Sequence, residues 1–134
     1  MLDAFFFVLP EGCGMKHCLV ADDSEVIRKI ARRVLESMSF EVSEAQSGQQ
    51  ALETCQERAP HAILLDWSMP DMTGLQILAS LRLSSDRKPY ILYCITENDP
   101  DDIARAMAAG ADDVLLKPFH GHELEAKLVD AGLG

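Results

Sequence analysis

Short apolar runs alternate along the chain with stretches whose apolar residues recur every three or four positions. The runs are HCLVA at 17–21, FEVSEA at 40–45, AILLD at 62–66, YILYCIT at 90–96 and DVLLK at 113–117. The run at 40–45 alternates as an edge strand does, whereas 90–96 is continuously apolar, as a strand buried on both faces is. Behind Ser24, a good N-cap, Val26, Ile27, Ile30, Ala31, Val34, Leu35 and Met38 follow a helical period. Ser47-Gly48 opens a second helix with Ala51, Leu52 and Cys55, which ends before Pro60. Gly74 leads into a third with Leu75, Ile77, Leu78 and Leu81. Residues 99–102, DPDD, put proline and acids where a helix start favours them. That helix carries Ile103, Ala106 and Met107 and stops at Gly110. A fifth is expected over 121–131 through Leu124, Leu128 and Val129. Five strands alternating with five helices predict an α/β domain, a parallel sheet wrapped by helices on both faces.

Charge narrows the function. The 134 residues carry 22 acidic against 12 basic side chains, a net charge of −10. That balance speaks against a nucleic-acid footprint and against attraction to anionic membranes, and suits an acidic site that holds a cation. Cys13, Cys18, Cys55 and Cys94 form no CxxC pair and no metal-finger spacing. They read as small buried thiols of a reducing cytosol, so a cytoplasmic location is expected. His17, His61, His120 and His122 are scattered. His-x-His at 120–122 could bind a metal or simply be solvated. Residues 1–14 (MLDAFFFVLPEGCG) are apolar but too short to span a bilayer, and lack the basic start of a signal peptide. They are expected to be a tail packed on the domain or an upstream extension, with the domain itself over 15–134 and no membrane insertion.

The chemistry lies where the strands end. AILLD delivers a carboxylate at the end of a run that reads as buried, and desolvating an aspartate is costly unless something pairs with it. Asp66 is therefore either a cap or turn residue, or is held there for chemistry. In open α/β sheets ligands bind beyond the carboxyl ends of the strands, where the strand order reverses. The strands deliver Asp22 and Asp23, Asp66, Thr96 and Lys117 to that rim. With strand order 2-1-3-4-5 the switch point falls between strands 1 and 3, so the three aspartates converge. Neighbouring strands are ~4.8 Å apart, close enough for carboxylates on both to reach one Mg²⁺ with bonds of ~2.1 Å. Singly, an Asp-Asp before a helix is capping, a Lys-Pro is a turn and a Thr is satisfied locally. Together they point to a phosphoryl site.

The motifs LVADDS, ILLDWSMPDMTG, ITEN and GADDVLLKPF, with their spacing from Asp22 through Asp66 and Thr96 to Lys117, resemble the receiver domains of two-component response regulators. The resemblance is to the single-domain chemotaxis (CheY-like) type and covers residues 15 to about 131. It implies a flavodoxin-like, doubly wound five-stranded sheet with five helices. It implies Asp66 as the nucleophile that takes a phosphoryl group from a sensor histidine kinase. It also implies Asp23, Asp66 and the Ser68 backbone carbonyl as Mg²⁺ ligands, with Asp22 acting mainly through a metal-bound water. Lys117 would neutralise charge on the phosphoryl oxygens, and the Thr96 hydroxyl would hydrogen-bond the phosphoryl group. One position departs: the family often has an aromatic three residues before the lysine, and here Val114 stands there. Tyr93 either substitutes for it or is plain core.

A haloacid-dehalogenase-type phosphatase also uses a strand-end aspartate and Mg²⁺. It needs a second aspartate two residues on, where this chain has Ser68, and a cap domain for which there is no room. A purely structural interaction module would have lost part of the acid set. The expected role is thus a phosphoacceptor, not an enzyme acting on other substrates. No output domain is expected after the last helix, so the signal would leave by docking to a flagellar motor switch protein or another effector. The alternative is a phosphate sink or cell-cycle regulator acting on a kinase.

Overall fold

The computed structural model describes residues 15–84 and 88–134, so the expectation for residues 1–14 lies outside the described residues. The elements run β1 (His17–Ala21), α1 (Glu25–Ser37), β2 (Glu41–Ala45), α2 (Gly48–Glu57) and β3 (Ala62–Asp66). They continue with α3 (Gly74–Ser84), β4 (Tyr90–Ile95), α4 (Pro100–Ala109), β5 (Asp113–Leu116) and α5 (Gly121–Asp130). All four strand pairings are parallel and the sheet order is β2-β1-β3-β4-β5. The order reverses between β1 and β3, as expected.

Two apolar layers sandwich the sheet. On one side Leu19, Ile63, Leu65, Ile91, Tyr93 and Ile95 meet α2, α3 and α4; on the other Val20, Leu64, Leu92 and Leu115 meet α1 and α5. Successive side chains of a strand point to opposite faces, which is why β3 is buried at every position. Burying each of Ile63, Leu64 and Leu65 contributes roughly 1.5–3 kcal/mol. That layer fixes where the strand ends.

The helix ends follow local chemistry. The Ser24 hydroxyl accepts from the Ile27 N–H, Ser47 from Gln50 and Asp99 from Asp101. Pro100 occupies the first turn of α4, and Gly110 closes that helix at φ +121°, a conformation side chains with a Cβ disfavour. Thr96 and Lys117, expected as the last residues of their strands, lie one residue beyond β4 and β5. Three positions counted in the apolar helical pattern, Val26, Met107 and Val129, are exposed. Each helix covers the sheet with one stripe only, and these residues sit outside it. In α1 the stripe is Arg28, Ala31 and Leu35, so an arginine takes a place that the pattern leaves to an apolar residue.

Candidate functional site

The carboxyl rim brings the acids together. Asp22 follows β1, and its N–H donates to the Ala45 carbonyl at 3.0 Å. Its Oδ1 accepts from the Ser24 N–H at 2.9 Å, the turn that starts α1. Asp66 ends β3, paired in register with Cys94 of β4. One carboxylate oxygen from each of Asp22, Asp23 and Asp66 lies within 4.8 Å of the others. Asp22 and Asp66 are buried while Asp23 is exposed, so the cluster has a dry floor and a wet mouth. Among the described residues this is the one group of three or more acidic, histidine or cysteine side chains close enough to hold a metal.

Lys117 spans the floor. Its Nζ donates to Asp22 Oδ2 at 2.9 Å and to Asp66 Oδ1 at 3.1 Å. Its own N–H donates to the Ile95 carbonyl at 2.7 Å, which ties the lysine to the end of β4. Burial pushes the Asp66 carboxyl above its ordinary value, the Asp22 charge adds to this, and the Lys117 hydrogen bond opposes it without cancelling it. Burial alone would lower the Lys117 pKa, but the hydrogen bonds to Asp22 and Asp66 together with the charges of those carboxylates hold it above its ordinary value. One ammonium thus serves two buried carboxylates. The pocket is short of positive charge.

The loop after β3 is tied down on both sides. The Trp67 N–H donates to the Cys94 carbonyl at 3.0 Å, and the Gly74 N–H to the Trp67 carbonyl at 2.8 Å. Ser68 forms an isolated antiparallel bridge with Thr73. Asp71 reaches the first turn of α2, where its two oxygens accept from the Gly48 N–H at 2.7 Å and the Gln49 N–H at 3.0 Å. The peptide of Ser68 is therefore held by a short closed loop.

Thr96 lies exposed at the same rim, beside Trp67 in a cleft of about 260 Å³ whose wall includes Leu75, Tyr93 and Ile95. Tyr93 is buried in the α2-α3-α4 layer. Its ring lies over the start of α3, where a Cβ on Gly74 would fall 2.5 Å from the phenol. In the sheet Tyr93 is paired with Val114, so the aromatic stands one strand away from the position expected from the resemblance. His120 and His122 are exposed and stack at 5.5 Å outside the acid cluster. Sequence reasoning missed Arg28, whose Nη1 donates to the Asp22 carbonyl at 2.9 Å, and Asp71. Arg28 left a signal, a cation in register with Ala31 and Leu35; Asp71 left none beyond a turn.

A family model described as the response regulator receiver domain matches residues 18–129. The chain belongs to this receiver family. Receivers are the phosphoacceptor signalling domains of two-component systems. This receiver is 39% identical over 105 residues to the two-component response regulator ORR3 of Oryza sativa subsp. indica, an alignment covering 76% of the chain and 79% of that protein. It is 38% identical over 112 residues to protein-glutamate methylesterase/protein-glutamine glutaminase 2 of Rhodopseudomonas palustris. There the match covers 83% of the chain but 31% of the relative. The chemotaxis response regulator CheY4 of Vibrio cholerae superposes with a TM-score of 0.83 at 33% identity, covering 87% of this chain and 98% of that one. Among the described residues of the receiver, no helix is long and apolar enough to cross a membrane.

Proposed function

We propose that this receiver accepts a phosphoryl group on Asp66 from a sensor histidine kinase and passes the signal on by docking to a protein partner. The observation that carries this reading is the pairing of two buried carboxylates with a single ammonium at the switch point of the sheet. Asp66 is a carboxylate kept dry, close to a cation and near the exposed mouth marked by Asp23. Attack by an Asp66 oxygen forms the O–P bond as the bond from phosphorus to the kinase histidine nitrogen breaks. The Lys117 ammonium is within reach of the charge that spreads over the phosphoryl oxygens in transfer. Its compact head on a flexible stem suits a group that must follow that charge. Thr96, at the same rim, is the hydroxyl available to hydrogen-bond the phosphoryl group once it is in place.

The residues present fit a magnesium ion. Three carboxylate oxygens within 4.8 Å of one another are hard donors, close to the ~4.2 Å that two ~2.1 Å bonds span and within reach when a water completes the contact to one of them. Burial first and the Asp22 charge second raise the Asp66 carboxyl, and a dication would relieve that crowding of buried negative charge. Asp23, Asp66 and the Ser68 carbonyl would hold Mg²⁺, with Asp22 acting mainly through a water on it. Bound there, the ion would supply neutralising charge to the phosphoryl oxygens. The likeness to a chemotaxis response regulator, 33% identical with a TM-score of 0.83, supports a role in chemotaxis; a flagellar motor switch protein would then be the docking partner.

Incubation with acetyl phosphate and Mg²⁺ tests the reading. The wild-type chain is expected to gain one phosphoryl group labile to hydroxylamine, and Asp66→Asn none, since an amide is no nucleophile. Equal labelling of the two chains refutes the assignment.

A further inference from the structure

Four polar or charged residues are buried among the described residues: His17, Asp22, Arg28 and Asp66. Arg28 has no part in the phosphoryl chemistry above, yet it occupies the apolar stripe of α1 at 8% exposure. A buried guanidinium is tolerated only when its donors are met. Its Nε donates to Glu44 Oε1 at 2.9 Å and its Nη1 to the Asp22 carbonyl at 2.9 Å. Glu44 in turn accepts from Arg32 Nε at 2.6 Å, and Arg32 reaches Glu36 at 3.0 Å. The chain of charges starts on the exposed face of α1 and ends on the backbone of the acid pocket.

At Asp22 the contacts close. Its N–H is held by Ala45, its carbonyl by Arg28, Oδ1 by the Ser24 N–H and Oδ2 by Lys117. The backbone contacts from Ala45 and Arg28 fix where the side chain starts, and the Ser24 and Lys117 hydrogen bonds fix where its carboxylate ends. We propose that Arg28 is a positioning residue for the acid pocket, clamping the Asp22 peptide and thereby setting the affinity for Mg²⁺. This rests on the reading that the pocket holds Mg²⁺.

The idea separates from its rivals by sign. If Arg28 acted only as a nearby charge, removing it would take a cation away from a dication site and tighten Mg²⁺ binding. If it served only the fold, removal would lower the melting temperature and leave the affinity unchanged. A positioning role predicts weaker binding, about tenfold or more, as removing a residue that orients a ligand usually produces. Arg28→Lys keeps the charge but loses the planar fork that serves Asp22 and Glu44 at once, so it too should weaken binding.

The test is Mg²⁺ titration of the full chain, followed by Trp67 fluorescence and by the Mg²⁺-dependent rise in melting temperature, for wild type, Arg28→Lys, Arg28→Met and Glu36→Gln. The expected result is a dissociation constant raised about tenfold or more in Arg28→Met, raised less in Arg28→Lys and unchanged in Glu36→Gln. If Arg28→Met does not fold, Arg28→Lys decides by the same readouts. Wild-type or tighter affinity in the Arg28 variants overturns the inference alone. A wild-type chain that responds to Mg²⁺ in neither readout overturns the metal reading, and the inference with it.

Discussion

Two ion pairs at opposite places in the molecule have similar geometry and different surroundings. At the edge strand β2, Arg58 holds both oxygens of Glu41 at 2.7 and 2.8 Å, with the two side chains 53% and 50% exposed. At the carboxyl rim, Lys117 holds Asp22 and Asp66 at 2.9 and 3.1 Å, with all three side chains at 15% exposure or less. Water screens the edge pair, and either partner is solvated again when the other leaves. At the rim the charges have already lost their water, so each depends on the others. The count also differs. The edge pair is neutral, whereas the rim has two carboxylates for one ammonium. A short distance alone does not say what an ion pair does. Burial and charge balance do.

Removing the ammonium that bridges the two buried carboxylates is the most severe way to break this contrast. Lys117→Met leaves two buried carboxylates facing each other and is expected to cost about 3–5 kcal/mol, the usual loss when one partner of a buried pair is deleted. Urea unfolding in the absence of Mg²⁺ measures it. Adding the missing charge is the converse. Mg²⁺ at tenfold excess over its dissociation constant should stabilise the wild-type chain by roughly 1.4 kcal/mol, from binding to the folded state alone. Lys117→Met should retain a response, and a chain with all three rim aspartates changed to asparagine should show none.

Removing one of the two negative charges gives a smaller effect of opposite sign to the lysine deletion. The Asp66 carboxyl is raised above its ordinary 3.8, so the folded chain holds this proton more tightly than the unfolded chain does. Stability is then lost as pH rises from 3.8 through the raised value, and the penalty is complete above it. Asp66→Asn should therefore melt higher than wild type at neutral pH without Mg²⁺. That gain should shrink as the pH is lowered toward 3.8, and calorimetry across this range reads it. At the edge, Arg58→Ala should leave the melting temperature close to that of wild type. A large loss there would erase the contrast between the two regions.

The sequence carried this rim better than it carried the supports behind it. Parallel order and strand ends follow from periodicity, and a charged residue at the end of AILLD is conspicuous because its neighbours are apolar. Lys117 and Thr96 were legible for the same reason, as each ends an apolar run. Strand limits were off by a residue at β4 and β5, since the pattern does not distinguish the last paired residue from the first of the loop. Val26, Met107 and Val129 lie in the helices expected but outside the buried stripe, because helical period marks a stripe without giving its width. Arg28 was passed over for the opposite reason. Its type says surface, and only the pairing with Glu44 and the Asp22 carbonyl, both distant in sequence or on the backbone, makes burial tolerable. Asp71 acts through backbone N–H groups of another helix, which no side-chain pattern records.

The central claim, that Asp66 is dry and short of positive charge because it is the phosphoacceptor, is tested most directly by trapping the acyl phosphate. The chain is labelled with acetyl phosphate in the presence of Mg²⁺ and reduced with borohydride, which converts the phosphorylated carboxyl to an alcohol. Peptide mass spectrometry then locates the converted residue. The account predicts conversion at Asp66, dependent on Mg²⁺, with Asp22 and Asp23 untouched. Conversion at another carboxylate, with Asp66 recovered intact, would contradict it.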